Sequence, residues 1–188
     1  MKLTGRAWKF PQADINTGLI RKQMYNHLPP QEQGKHCLES LDPKFATNAR
    51  PGDFIVAGTN FGCGSSTPAH YSILALGIPA VIAESFGSLF FSNCVGGGLW
   101  PVVCPGILDL VDAGDLLEFD SDTFVVRNAA TGKTLQGKAL PPIYRATIEA
   151  GGEKPYLKAR LAKETAEPLA HAPGKPRASA LKAKEGKK

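Results

Sequence analysis

Pro51-Gly52-Asp53-Phe54-Ile55-Val56-Ala57-Gly58-Thr59-Asn60-Phe61-Gly62-Cys63-Gly64-Ser65-Ser66-Thr67-Pro68 is the stretch that decides the fold. A Pro-Gly turn leads into an apolar run, Asp53 to Gly58, that reads as a buried strand. A Gly-rich loop follows, and then a helix expected from Ala69 to Leu76. Pro68 suits a first helical position, where its missing N–H costs nothing. Downstream the cycle repeats. Ala80 to Ala83 is a second apolar strand, Ser85 is expected to cap a helix from Phe86 to Val95, and Gly96-Gly97-Gly98 ends it before a third strand, Leu99 to Val103. Strand, helix, strand, helix, strand with short connections argues for a parallel or mixed α/β core.

Outward from that core the pattern changes. Asp115 to Phe119, Thr123 to Arg127 and Thr134 to Lys138 alternate with turn residues and predict a small antiparallel β appendage, followed by helices over Pro142 to Ala150 and Tyr156 to Thr165. The first 50 residues are less regular. Gly5 to Phe10 is expected as a short strand, Asp14 to Thr17 as a polar turn, and Gln31 to Leu41 as a helix beyond Pro29-Pro30.

The 188 residues, 43% hydrophobic and 21% charged, suit one globular domain. No apolar run reaches the roughly 20 residues of a membrane helix, and the start, Met1 to Arg6, lacks a secretory signal. A membrane or secreted protein is therefore not expected. The formal charge of +5 is accounted for by the stretch after His171, where six Lys or Arg face one acid, Glu185. Residues 1–168 read as the folded domain and 169–188 as a basic, disordered tail rather than a nucleic-acid arm. Cys37, Cys63, Cys94 and Cys104 form no C-x-x-C pair and have no His at zinc-ligand spacing, so no metal site is expected; they read as reduced thiols of a cytoplasmic protein. Cys63 reads as a small residue filling a crowded loop rather than as a reactive thiol.

The loop Asn60 to Ser66 invites a chemical reading. Two glycines one residue apart allow a tight turn and close approach to a ligand. Two serines at a helix start would meet converging backbone N–H groups, suited to a carboxylate or phosphate or to a developing oxyanion. The loop is neither a Walker element nor a G-x-S-x-G elbow. An ordinary strand-to-helix turn with Ser as N-cap explains the same residues equally well.

Several separated blocks nevertheless resemble one family. Gly52 to Ser66 looks like the signature of the 3-isopropylmalate dehydratase small subunits, in the aconitase superfamily. Ser85 to Asn93, Gly98 to Val102, Gly5 to Phe10 and Ile148 to Gly152 are similar to further blocks in the same order. The resemblance spans about Gly5 to Leu161. It implies a swivelling β/β/α domain, with a mixed sheet, that closes over a separate large subunit carrying a [4Fe–4S] cluster. The implied reaction is removal and re-addition of water on a small 2-hydroxy acid, in leucine biosynthesis. Carried over, the family's base is Ser65, while Gly64, Ser66 and Thr67 belong to the substrate-binding element.

Two positions depart from the family pattern. Gly-Ser-Ser is usually followed by an Arg that clamps a substrate carboxylate, and here Thr67 stands there. The early element resembles Asp-x-Asp-Thr-Asp, but Asp14-Ile15-Asn16-Thr17-Gly18 lacks the last acid. A changed substrate, a replacement cation or lost activity would each account for this. Besides the hydro-lyase subunit, the sequence leaves open a non-catalytic relative that binds a partner or RNA.

Overall fold

The computed structural model describes residues 1–64 and 67–166. Strand β1 (Lys2–Phe10) opens the chain, followed by helix α1 (Thr17–Ile20), a 3₁₀ turn (Gln23–Tyr25), α2 (Pro30–Gly34) and α3 (Phe45–Asn48). Then come β2 (Phe54–Ala57), α4 (His70–Ala75), β3 (Ala80–Ala83), α5 (Ser88–Gly97), β4 (Trp100–Val103) and α6 (Ile107–Leu110). Strands β5 (Leu116–Asp120), β6 (Val125–Asn128) and β7 (Thr134–Gln136) precede α7 (Pro142–Glu149) and α8 (Glu153–Ala166).

All seven strands belong to one mixed sheet in the order β4-β3-β2-β1-β5-β6-β7. The expected antiparallel appendage thus joins the parallel core through a shared strand. The half of β1 from Ala7 to Phe10 runs parallel to Phe54–Ala57, and the half from Lys2 to Arg6 runs antiparallel to Asp120–Leu116. At the change of partner, a Cβ on Gly5 would lie 2.0 Å from the Gly52 carbonyl oxygen, so only glycine fits. Asp53 fastens the same corner. Its Oδ2 accepts from Trp8 Nε1 (2.8 Å), the Arg50 amide (2.9 Å) and Arg6 Nη2 (3.2 Å). Burial pushes this carboxyl up, but the hydrogen bonds from Trp8, Arg50 and Arg6 outweigh it and hold it below its ordinary value.

β2 and β3 are buried at every residue, as expected of strands covered on both faces. Alternate residues feed two cores. Phe54, Val56, Ala80 and Ile82 pack with Trp100, Phe119 and Phe124. Ile55, Ala57, Val81 and Ala83 pack with Phe45, Phe61, Ile73 and Phe90. In the first core Trp100, Phe119 and Phe124 meet edge to face with centroids 5.9–6.2 Å apart, a favoured aromatic geometry.

Three local expectations are corrected. The helix sought over Gln31 to Leu41 stops at Gly34, where a Cβ would sit only 3.0 Å from the Ala75 side chain, and turns follow. Pro68 does not take the first helical position: α4 runs from His70 to Ala75 with Ala69 as its N-cap, so Pro68 stands before the cap. Ser85 does not cap α5; Gly87 stands at the N-cap, and Ser85 Oγ accepts the Asn60 amide at 2.8 Å.

Candidate functional site

The four parallel strands end in register. Phe10, Ala57, Ala83 and Val103 are successive partners across the sheet. The loops that leave them therefore gather at one edge, the place where open parallel sheets hold their ligands.

Backbone hydrogen bonds clasp these loops together. The Asp14 amide donates to Thr59 O (2.9 Å), Gly62 to Ile15 O (2.7 Å) and Thr17 to Cys63 O (2.9 Å). On the other side, the Phe61 amide donates to Ser85 O (3.0 Å) and Gly87 to Phe61 O (2.9 Å). Side chains add to the clasp. Asn60 Nδ2 donates to Asp14 Oδ1 at 2.7 Å, and the Cys63 thiol donates to Asp14 O at 3.5 Å. Asp14 and Asn60 both hold left-handed backbone, with φ of 57° and 58°. Asp and Asn tolerate this backbone better than most residues, and the bond between their side chains holds both in it. Gly62 has φ of 76°, and a Cβ there would come within 2.2 Å of the Phe90 ring. The glycine before Cys63 is thus demanded twice.

Of the residues singled out by sequence, Gly64 is exposed at the end of this clasp with φ of 78°. Ser65 and Ser66 lie outside the described residues. Thr67 is buried, and the hydroxyl that sequence offered to a substrate is committed to main chain, donating to Thr17 O (3.0 Å) and Arg21 O (3.4 Å). Gly18 sits in α1, whose Thr17 amide is tied to Cys63, so both departures from the family pattern border one loop. Two hollows of about 420 and 460 Å³, over β1–β5–β6 and between α4, α5 and α8, share no residue with the 58–64 loop.

Sequence reasoning read Ser85 as a helix cap and gave Asn60 and Arg21 no role of their own. Asn60 carried a weak signal, since Asn tolerates left-handed backbone better than most residues. The role of Ser85 arises only when distant loops meet.

The cysteines are all free thiols. Burial raises the Cys37 thiol to about 12, Cys104 to about 11, and Cys94 well above its ordinary value. Cys37 and Cys94 lie in one core and Cys104 in the other, while Cys63 is half-buried in the loop. Among the described residues no three His, Cys, Asp or Glu side chains converge as metal ligands would. The described residues, whose cysteines are scattered over two cores and a loop, do not fit an iron–sulfur cluster. No described helix is long and apolar enough to cross a membrane.

Comparison with known proteins agrees with this geometry. The Aconitase C-terminal domain family matches residues 8–106. The 3-isopropylmalate dehydratase small subunit of Heliobacterium modesticaldum is 44% identical over 164 residues, covering 86% of this chain and 98% of the relative. The isopropylmalate/citramalate isomerase small subunit of Methanocaldococcus jannaschii is 38% identical, covering 85% and 96%. A crystal structure of 3-isopropylmalate dehydratase from Methanocaldococcus jannaschii superposes with a TM-score of 0.84 at 35% identity, covering 89% of this chain and all of that one. With relatives this similar along nearly their whole length, and with strand ends and loops arranged as the fold requires, the chain belongs to the 3-isopropylmalate dehydratase small-subunit family of the aconitase superfamily.

Proposed function

We propose that this chain is the small subunit of a hydro-lyase that removes and re-adds water on an alkylmalate-type 2-hydroxy acid, working with a large subunit in the cytoplasm. The observation that carries the reading is the 44% identity across 98% of a dehydratase small subunit. One relative is named for isopropylmalate and citramalate together, which supports an alkylated malate while leaving its side group open. The free thiols suit a reducing compartment.

In this reading Ser65 is the base. It takes the proton from the carbon next to the hydroxyl-bearing one during dehydration and returns it during hydration. A serine hydroxyl needs its negative form stabilised, and amide donors aimed at the developing charge supply that. The Gly64 and Ser66 amides hold a substrate carboxylate. Thr67 serves the same site from within, tying the loop to α1 through the Thr17 and Arg21 carbonyls. The family's [4Fe–4S] cluster belongs on the large subunit, a placement supported by the scattered cysteines of this chain.

The test is to purify the chain anaerobically with and without its large subunit and assay water elimination from a panel of alkylmalates. Turnover is expected only in the two-subunit form. An active isolated chain, or an iron–sulfur chromophore carried by it, overturns the assignment of roles. A complex inert on the whole panel overturns the reaction class.

A further inference from the structure

His70, the first residue of α4, is 5% exposed, and neither of its ring nitrogens has a hydrogen-bond partner among the described residues. Buried polar groups are ordinarily bonded, so this imidazole stands out. Burial, and then the charge of Arg21, lower it to about 4, and the neutral ring holds one N–H and one lone pair. Nδ1 is shut off from solvent, where an unused N–H is costlier than an unused lone pair, and the proton is accordingly assigned to Nε2. The Cδ2–Nε2 edge of the ring lies against Gly97: a Cβ on that glycine would come 2.6 Å from Cδ2 and 3.1 Å from Nε2. His70 and Gly97 both border the hollow of about 460 Å³ between α4, α5 and α8, so the open N–H looks into it.

Two helix ends meet in the same hollow. α5 ends at Gly97, and the carbonyls of Gly96 and Gly97 accept no backbone hydrogen bond. α8 starts at Glu153, and its first bond runs from the Tyr156 amide to Gly152 O at 3.1 Å. The Glu153 and Lys154 amides are therefore open, and Pro155 brings none. The two ends touch, since a Cβ on Gly152 would lie 2.7 Å from Gly96 O. Open carbonyls carry the negative end of one helix dipole, and open amides the positive end of the other. Glu153 and Lys154 add one full charge of each sign, and neither is ion-paired among the described residues. A Cβ on Gly96 would lie 4.0 Å from Glu153 Oε2, which sets that carboxylate on the α5 side.

We propose that this hollow binds a small zwitterion of the α-amino-acid type. The ligand's carboxylate takes the His70 Nε2–H and the open α8 amides beside Lys154. Its ammonium takes the α5 carbonyls beside Glu153. A ligand with one charge fits less well, because a simple carboxylate meets Glu153 and a simple amine meets Lys154 and the α8 amides. The helix ends touch, so the two ligand charges must sit close together, as they do on one α-carbon. The Tyr71 ring, 4.0 Å from that of His70 and bordering the same hollow, gives the side group a flat wall. The volume suits a small molecule, whose sites run from about 300 to 1,000 Å³. This site is separate from the 58–64 loop and does not depend on the reaction assigned to that loop.

Imidazole nitrogen NMR of the full, ¹⁵N-labelled chain tests this without turnover. The His70 signals are recognised as those that stay neutral down to about 4. The chain would be titrated with the common L-amino acids, and with lactate and ethylamine as analogues bearing one charge each. At least one amino acid should shift the His70 Nε2 signal saturably, and both analogues should bind roughly tenfold more weakly or less. Glu153→Gln and Lys154→Ala change exposed side chains and should keep the melting temperature, yet each should weaken the amino acid roughly tenfold. Glu153→Gln should leave lactate no weaker, because only the ammonium needs that carboxylate. The proposal is overturned if no amino acid gives a saturable shift, if lactate or ethylamine binds as tightly, or if both variants leave the affinity unmoved.

Discussion

On one side of β1 the sheet runs parallel through β2, β3 and β4; on the other it runs antiparallel through β5, β6 and β7. The parallel half is buried on both faces and sends its strand ends to one edge. Its loops must find partners in each other, as Asp14, Asn60, Cys63 and Ser85 do. The antiparallel half alternates buried and exposed residues, and Asn128 closes its turn, Oδ1 accepting from the Ala130 and Thr131 amides while Nδ2 donates to Asp115 and to Leu110 O. In the proposed reading the clasped loops form the site, and the antiparallel half, joined to them through the shared strand, is its scaffold.

The largest effect that tests this contrast lies in the parallel half. Ser65→Ala should reduce turnover of the two-subunit enzyme by roughly 10²–10⁴-fold, with melting temperature and subunit assembly unchanged. Retention of more than about a tenth of the wild-type rate removes Ser65 from the mechanism. The opposite signature belongs to the scaffold. Phe119→Ala empties part of the Trp100–Phe119–Phe124 cluster and should cost about 3–5 kcal/mol by denaturant unfolding, with KM of the remaining folded enzyme unchanged. A large KM shift at constant stability would show that the two halves are not separable.

Asp53 sits where the halves join. Asp53→Asn should cost about 1.5–3 kcal/mol, since hydrogen bonds to a charged acceptor are the strong ones. The sign of the pH dependence follows from its depressed carboxyl. Its contribution is complete above the unfolded value, ordinarily 3.8, and is lost as pH falls through the lower folded value. In Asp53→Asn this part of the acid-limb slope should vanish from the stability profile, and an unchanged slope would contradict the assignment.

Asn60→Ala should be smaller in stability, about 1–2 kcal/mol from the left-handed backbone and the lost bond to Asp14. Because the lesion lies in the clasp, kcat should fall more than melting temperature predicts, and Asn60→Gly should recover stability better than rate. The smallest effect is expected from ending the chain at Pro168. The basic stretch after it lacks apolar periodicity, and its removal should leave assembly and turnover intact. A marked loss in gel filtration or assay would give that tail a role.

Legibility in the sequence tracked this same contrast. Ala80 to Ala83 was readable residue for residue, because a strand covered on both faces has no choice but an apolar run. The alternation in β5 and β6 was readable because one face stays wet. Helices α1, α3 and α6, of four residues each, gave no periodic signal, since so short a segment is held by tertiary contacts and not by propensity. Ser85 looked like a helix cap because serine often is one; what recruited it instead was the amide of Asn60, twenty-five residues away.

By itself, the sequence determined the α/β class, the succession of core strands and helices along the chain and the family of the chain, and it marked the loop proposed to carry the chemistry. These follow from local periodicity, from turn residues and from motif blocks whose order survives without coordinates. Only the tertiary structure decided that Thr67 faces inward, that Asp14 and Asn60 hold each other in left-handed backbone, and that Arg21 is buried against Gln33 and Asn26. Each of these depends on which distant segment supplies the nearest hydrogen-bond partner, and no local pattern encodes that.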